Sequence, residues 1–127
     1  MPRLFIDRDT WSHALDAALR DAGIPFEAHR DHFAMDAPDP VWIRAVGAAG
    51  WLALTRDQRI RHRPNEIAAV RAARLHLFVL SSGNLGAADT GAIAVAAWPA
   101  IQRAAASREP PAVWSVSRSA QVRLLKV

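Results

Sequence analysis

Two aspartates one residue apart, Asp7 and Asp9, follow directly on the short apolar run "LFI". A carboxylate at the end of a buried run is costly unless something pairs with it, because an unpaired charge loses its hydration on burial. Two chemistries would use such a pair. An aspartate here could attack phosphorus as a nucleophile, or both could hold magnesium, a hard cation that prefers oxygen ligands, in a metal-dependent nuclease. Further along, Asp39 precedes Pro40, and Asp57 follows the apolar stretch "WLALT". Around Asp57 stand Thr55, Arg56, Arg59, Arg61 and Arg63, and guanidinium forks pair bidentately with phosphate. Asp7, Asp39 and Asp57 are therefore the candidate catalytic and metal-binding acids, with Asp9 as a further metal ligand. Thr55 and the four arginines are the candidate substrate contacts. Each also has a plainer use. Asp39 or Asp9 could cap a helix, Asp57 could belong to a turn, and "RDQRIRHR" could be a solvated charged face.

What must position these residues can be read from apolar spacing. Residues 3–6 read as a buried strand, followed by a helix from Asp9 or Thr10 with Leu15, Ala18, Leu19 and Ala22 on one face and Gly23 as its stop. Residues 24–29 form a second strand and 30–40 a loop. At their junction "HRDH" (29–32) invites a zinc reading, but without further ligands it fits an exposed polar loop better. Asp39 and Pro40 open a helix with Val41, Trp42, Ala45 and Val46 inward, weakened at Gly47 and ended at Gly50. Strand 51–55 follows, then a helix opened by Pro64 with Ile67, Val70 and Ala73 or Arg74 at helical spacing. Strand 75–80, the turn "SSGNLGAAD" and an Ala-rich helix from about Leu85 to Ala106 come next, with Pro99 expected to kink that helix or break it in two. The tail alternates on both sides of "RSAQ" and predicts a terminal hairpin. Repeated strand–helix alternation predicts an α/β fold, a three-layer α/β/α arrangement with a mostly parallel sheet and a C-terminal β-hairpin. Sites in such sheets form at the carboxyl ends of strands, where Asp7, Asp9, Asp39 and Asp57 would meet.

Composition sets the outer bounds. A chain of 127 residues, 51% hydrophobic, is expected to form one domain over residues 1–127 with a sizeable core. It has no cysteine, which excludes disulfides and thiolate metal sites. The formal charge is +4 and Lys126 is the only lysine. That balance leans toward an anionic partner such as nucleic acid or an acidic protein segment, although Arg- and Ala-rich composition is also what a GC-rich genome produces. No stretch is apolar enough to span a membrane, and the opening "MPRLFIDRDT" lacks the apolar core of a signal peptide; the expectation is a cytoplasmic protein with no membrane partner.

The stretch "DPVWIRAVGAAGWLALTRDQRI" (39–60) resembles the PIN-domain pattern: an Asp shortly before an Ile-containing helix, a Gly, an apolar strand, then Thr-x-Asp and an apolar position. Here these are Asp39, Ile43, Ala45, Gly50, residues 51–54, Thr55, Asp57 and Ile60, and "LFIDRD" supplies the family's first acid as Asp7. The nearest likeness is to short PIN-like proteins, some of them VapC-type toxins of toxin–antitoxin pairs, and it covers about two thirds of the chain. The resemblance implies a PIN-like fold and a Mg2+- or Mn2+-dependent ribonuclease. It implies RNA as substrate and a cognate antitoxin as partner, and leaves room for a homodimer. Larger PIN domains carry a central glutamate that has no equivalent here, so a non-catalytic PIN-like module binding RNA or protein is the competing class. The Asp7-x-Asp9 spacing also resembles haloacid-dehalogenase phosphatases. Those need a later lysine and an acidic pair, whereas here Lys126 is C-terminal and Asp89 stands alone. A receiver domain phosphorylated on Asp57 would need a lysine after the fifth strand, which "VWSVSRS" lacks.

Overall fold

The computed structural model describes residues 2–82 and 85–125. Lys126 and the Gly83–Asn84 portion of the expected turn lie outside these residues.

A six-stranded sheet forms the middle layer. Its strands are β1 (Leu4–Ile6), β2 (Phe26–Ala28), β3 (Leu52–Thr55), β4 (His76–Leu80), β5 (Ala112–Val116) and β6 (Val122–Leu125), in the spatial order β2-β1-β3-β4-β5-β6. All neighbours run parallel except β6, which returns antiparallel to β5 as the expected hairpin. The helices are α1 (His13–Asp21), α2 (Asp39–Ala49), α3 (Pro64–Ala73) and α4 (Ala87–Ser107). Alternate strand residues face opposite layers. Leu4, Ile6, Leu54, Phe78 and Trp114 pack against α1 and α4, while Phe5, Ala53, Leu77, Val79 and Val113 pack against α2 and α3. This is the three-layer α/β/α arrangement, and each fully buried Leu or Phe contributes roughly 1.5–3 kcal/mol to it. Among the described residues no helix is long and apolar enough to cross a membrane.

Crossover geometry explains which helix lies where. The chain steps from β1 to one side for β2, then back across β1 to β3. With crossovers of one hand, reversing direction sends α1 and α2 to opposite faces. The crevice between them opens at the carboxyl ends of β1 and β3, which is where ligands bind in such sheets. From β3 onward the chain keeps moving the same way, yet α3 lies on one face and α4 on the other. The last crossover therefore has the opposite hand to the first three, and α4 packs beside α1 rather than α3.

Helix boundaries differ from expectation in places, each for a local reason. The first helix starts at His13 rather than Asp9 or Thr10, because Ser12 is its cap and accepts the Leu15 N–H at 3.1 Å. Asp39 is the first helical residue of α2 and makes no capping bond; Pro38 holds the cap position. In α2 the inward residues are Trp42, Ile43 and Val46, while Val41 and Ala45 are exposed. Pro99 lies inside α4 without splitting it, since Ala97, Trp98 and Ile101 are buried on both sides of it. His29 is not on an exposed loop: it is fully buried, its ring tilted against those of Phe5 and Phe33.

Gly50 ends α2 in the left-handed conformation (φ 74°). Gly47 has a different purpose, because a Cβ there would stand 2.5 Å from the Ala73 carbonyl oxygen and 2.6 Å from Ala73 Cβ. The bare backbone lets α2 and α3 touch. Gly47→Ala should therefore destabilise the protein by about 1–3 kcal/mol in urea unfolding, despite gaining up to ~1 kcal/mol in helix propensity. An unchanged or higher midpoint would show that α3 yields freely.

Candidate active site

The turn leaving β1 is built around Asp7. Its carbonyl oxygen accepts from the Thr10 and Trp11 N–H groups at 3.2 and 3.1 Å. Its side chain is tied as well: Oδ1 accepts from the Thr10 N–H at 3.0 Å and Oδ2 from the Thr55 hydroxyl at 2.6 Å. Asp7 is only 5% exposed. Burial pushes its carboxyl up to about 6; the bonds from Thr10 and Thr55 pull the other way, and neighbouring Asp9 adds repulsion.

Thr55 was expected at the substrate. It is instead fully buried, and its hydroxyl oxygen both serves Asp7 and accepts the Asp57 N–H at 3.0 Å. It holds the acids rather than reaching a ligand. A second stitch joins the same two loops, since the Arg56 N–H donates to the Thr10 hydroxyl at 2.9 Å.

Arg8 and Asp9 of the same turn line an open cleft of about 510 Å³. Its carboxylates are Asp9, Asp39 and Asp57; its cations are Arg8, Arg56, Arg59 and Arg63. Asp57 accepts from the Arg59 N–H at 3.1 Å and from Arg63 Nη1 at 2.7 Å. The same Arg63 nitrogen stands 3.8 Å from Asp39 Oδ2. One positive group thus touches carboxylates delivered by two separate chain segments. The other Asp39 oxygen accepts from the Trp42 indole N–H at 3.0 Å and lies 3.7 Å from Arg8. Arg8 is itself anchored on the carbonyls of Met35 and Ala37, at 2.9 and 2.7 Å. Of the remaining sequence candidates, Asp9 is exposed on the cleft wall, and Arg61 lines a neighbouring pocket rather than the cleft.

Among the described residues no three acidic or histidine side chains gather closely enough to hold a metal ion together. The Asp39–Asp57 pair nevertheless suits one, because Arg63 already stands in there for a cation, and magnesium commonly takes one or two carboxylates and fills its remaining positions with water. Arg8, Thr10 and Trp42 are the parts that sequence reasoning did not single out. Only Arg8 carries a signal, being the charge between the two aspartates of Asp7-Arg8-Asp9; Trp42 reads as core because only its ring nitrogen faces the acid.

The elevated Asp7 carboxyl has a consequence for stability. Its folded-state pKa exceeds its unfolded value of 3.8, so the folded state holds the proton more tightly between those two pH values. The protein should lose stability as pH rises from about 4 to 6, and the cost is complete above 6. Asp7→Asn keeps the shape without the charge. In chelator at neutral pH it should unfold about 1–3 kcal/mol later than the parent, with the two urea curves converging near pH 4. A difference that persisted unchanged at pH 4 would contradict the assignment of this cost to the buried charge.

Comparison with known proteins agrees with this geometry. The profile of a family described as a PIN like domain matches residues 2–82. A curated relative from Mycobacterium tuberculosis (strain ATCC 25618 / H37Rv), named "Putative ribonuclease VapC45", is 30% identical over 130 residues, covering 98% of this chain and 93% of its own length. No solved structure matches. The chain belongs to the PIN-like domain family.

Proposed function

We propose that residues 1–127 act as one PIN-like unit, a ribonuclease dependent on a divalent cation and the toxin of a toxin–antitoxin pair. The observation that carries this reading is the meeting of Asp39 and Asp57 on a single positive group, linked through Thr55 to buried Asp7 at the point where the sheet reverses its strand order. The name of the mycobacterial relative points the same way.

Asp39 and Asp57 would hold the cation, Mg2+ or Mn2+, with Asp7 and Asp9 joining through water. When bound, such an ion lowers the pKa of water and stabilises a departing oxyanion. The chain's own residues do the rest. Thr55 and Thr10 fix Asp7 so that its oxygens cannot swing with the loop. Arg56, Arg59 and Arg63 offer guanidinium forks along the cleft to the RNA backbone, and Arg8 screens Asp39. Partners that go with this reading are RNA, a cognate antitoxin and a second copy of the chain, all in the cytoplasm.

A second reading, a non-catalytic module binding RNA or protein, is favoured by one fact: no three potential ligands converge among the described residues. Phosphatase chemistry gains no support, since Asp7 is buried and lies outside the lining of the cleft.

Cleavage of varied single-stranded RNAs separates the two main readings. The wild type should cut with Mg2+ or Mn2+ and stop in chelator, and Asp57→Asn should slow cleavage on the order of a hundredfold. RNA binding should weaken with salt, with a log–log slope of roughly −2 if the three arginines each neutralise one phosphate. Metal-independent cutting, or none on any RNA, would count against the enzyme.

A further inference from the structure

The acid cleft is polar on every side, so it suits a phosphate but offers no flat apolar surface to a base. Beside it lies a second pocket of about 340 Å³ that has such a surface. Gln58 and Arg59 line both and form the wall between them. The floor of the second pocket is Val79 and Leu125, with Ser81 and Ser115 supplying hydroxyls; Arg61 and His62 stand at its rim. Val79 and Ser115 are register partners on adjacent strands, on the face of the sheet that carries α2 and α3. Among the described residues no helix covers that face beyond α3, because the last crossover, of opposite hand, takes α4 to the other side. The pocket is thus a consequence of the topology, placed at the carboxyl end of β4 and β5 and continuous with the cleft.

We infer that this pocket is the subsite for one unpaired nucleobase of the RNA, next to the phosphate held in the acid cleft. The inference rests on the ribonuclease reading and deepens it. Protein sites for single-stranded RNA combine cations for the backbone with a π-face contact and polar groups for the base edge. Here Arg59 and Arg61 are the cations and the exposed His62 ring is the stacking partner. The Ser81 hydroxyl donates to the Val116 carbonyl at 3.3 Å and keeps its lone pairs for a base amino group. A third pocket, beyond Arg8, holds Trp11, but that ring is already covered: Arg30 lies over it at 4.6 Å and His13 packs edge-on at 4.8 Å. The base therefore belongs on the β4–β5 side. The pocket selects single-stranded RNA, because a base held in a duplex cannot enter it.

The test uses Asp7→Asn protein, so that the probe survives, and fluorescence anisotropy with short single-stranded RNAs carrying one abasic position each. At one position, loss of the base should weaken binding roughly tenfold. Ser115→Phe, which fills the floor, should erase that difference while leaving the salt slope unchanged. His62→Ala, an exposed change that spares the fold, should weaken the intact RNA and not the abasic one. Equal binding of all abasic probes would overturn the inference, as would a difference that survives Ser115→Phe and disappears in Trp11→Ala. If wild type still cuts RNA in those cases, the pocket assignment alone has failed. If the protein neither binds nor cuts RNA at any salt, the ribonuclease reading fails and takes the pocket with it.

Discussion

The hydrogen bond from the Thr55 hydroxyl to Asp7 Oδ2 is the contact on which the site depends. It joins the ends of β1 and β3 at the place where the chain reverses direction across the sheet. A carboxylate buried at such a point would be costly alone. Two bonds to its oxygens, and the reciprocal bond from the Arg56 N–H to Thr10, convert that liability into a fixed frame for two loops. Through Thr55 the frame extends to Asp57, whose N–H donates to the same hydroxyl. Loss of the hydroxyl would leave a buried acceptor unsatisfied and release Asp57 together with Asp7.

Charge balance in the cleft follows from that frame. Three carboxylates line it against four guanidinium groups, so it is close to neutral as a whole while strongly polar in detail. Arg8 is held by two main-chain carbonyls and cannot easily leave Asp39. Arg63 is different: it is anchored only by the acids themselves, and its side chain is 36% exposed. Exposed ion pairs of this kind are worth little, about 1 kcal/mol or less, so the stronger charge of a divalent cation or a phosphate can redirect Arg63 at small cost. A fixed arginine next to a loose one is what a cleft needs if it is to accept both signs of charge.

Much of this was legible in the residues. Buried parallel strands are continuous apolar runs, which marked β1, β3 and β4, while alternation around "RSAQ" marked the β5–β6 hairpin. The placement of Asp7, Asp39 and Asp57 was legible because strand ends and helix starts mark the carboxyl edge. The departures came from interactions invisible to spacing. Ser12 outcompeted Asp9 as a cap because Asp9 sits in the tight turn that Asp7 organises. Thr55 looked like a ligand contact because a hydroxyl between acids can face either way, and only the fold turns it inward. His29 was misread because its polarity suggested a loop, whereas it is buried against Phe5 and Phe33, with neither ring nitrogen hydrogen-bonded among the described residues. Burial favours its neutral form and pushes its pKa down, with the Arg8 charge adding to the effect, which is how an imidazole can sit in an aromatic cluster.

Nothing in apolar spacing says on which face a helix will return, and here that choice shapes the surface. Had α4 followed the hand of the first three crossovers, it would have covered the β4–β5 shelf next to α3. Instead its small residues meet α1: a Cβ at Gly91 would stand 3.1 Å from Ala18 Cβ, so the two helices lie in close contact. The Ala-rich composition of α4 and the small residues of α1 thus permit this close packing. Small side chains let α4 lie close on α1, and with α4 on that face no helix among the described residues covers the β4–β5 pocket on the other.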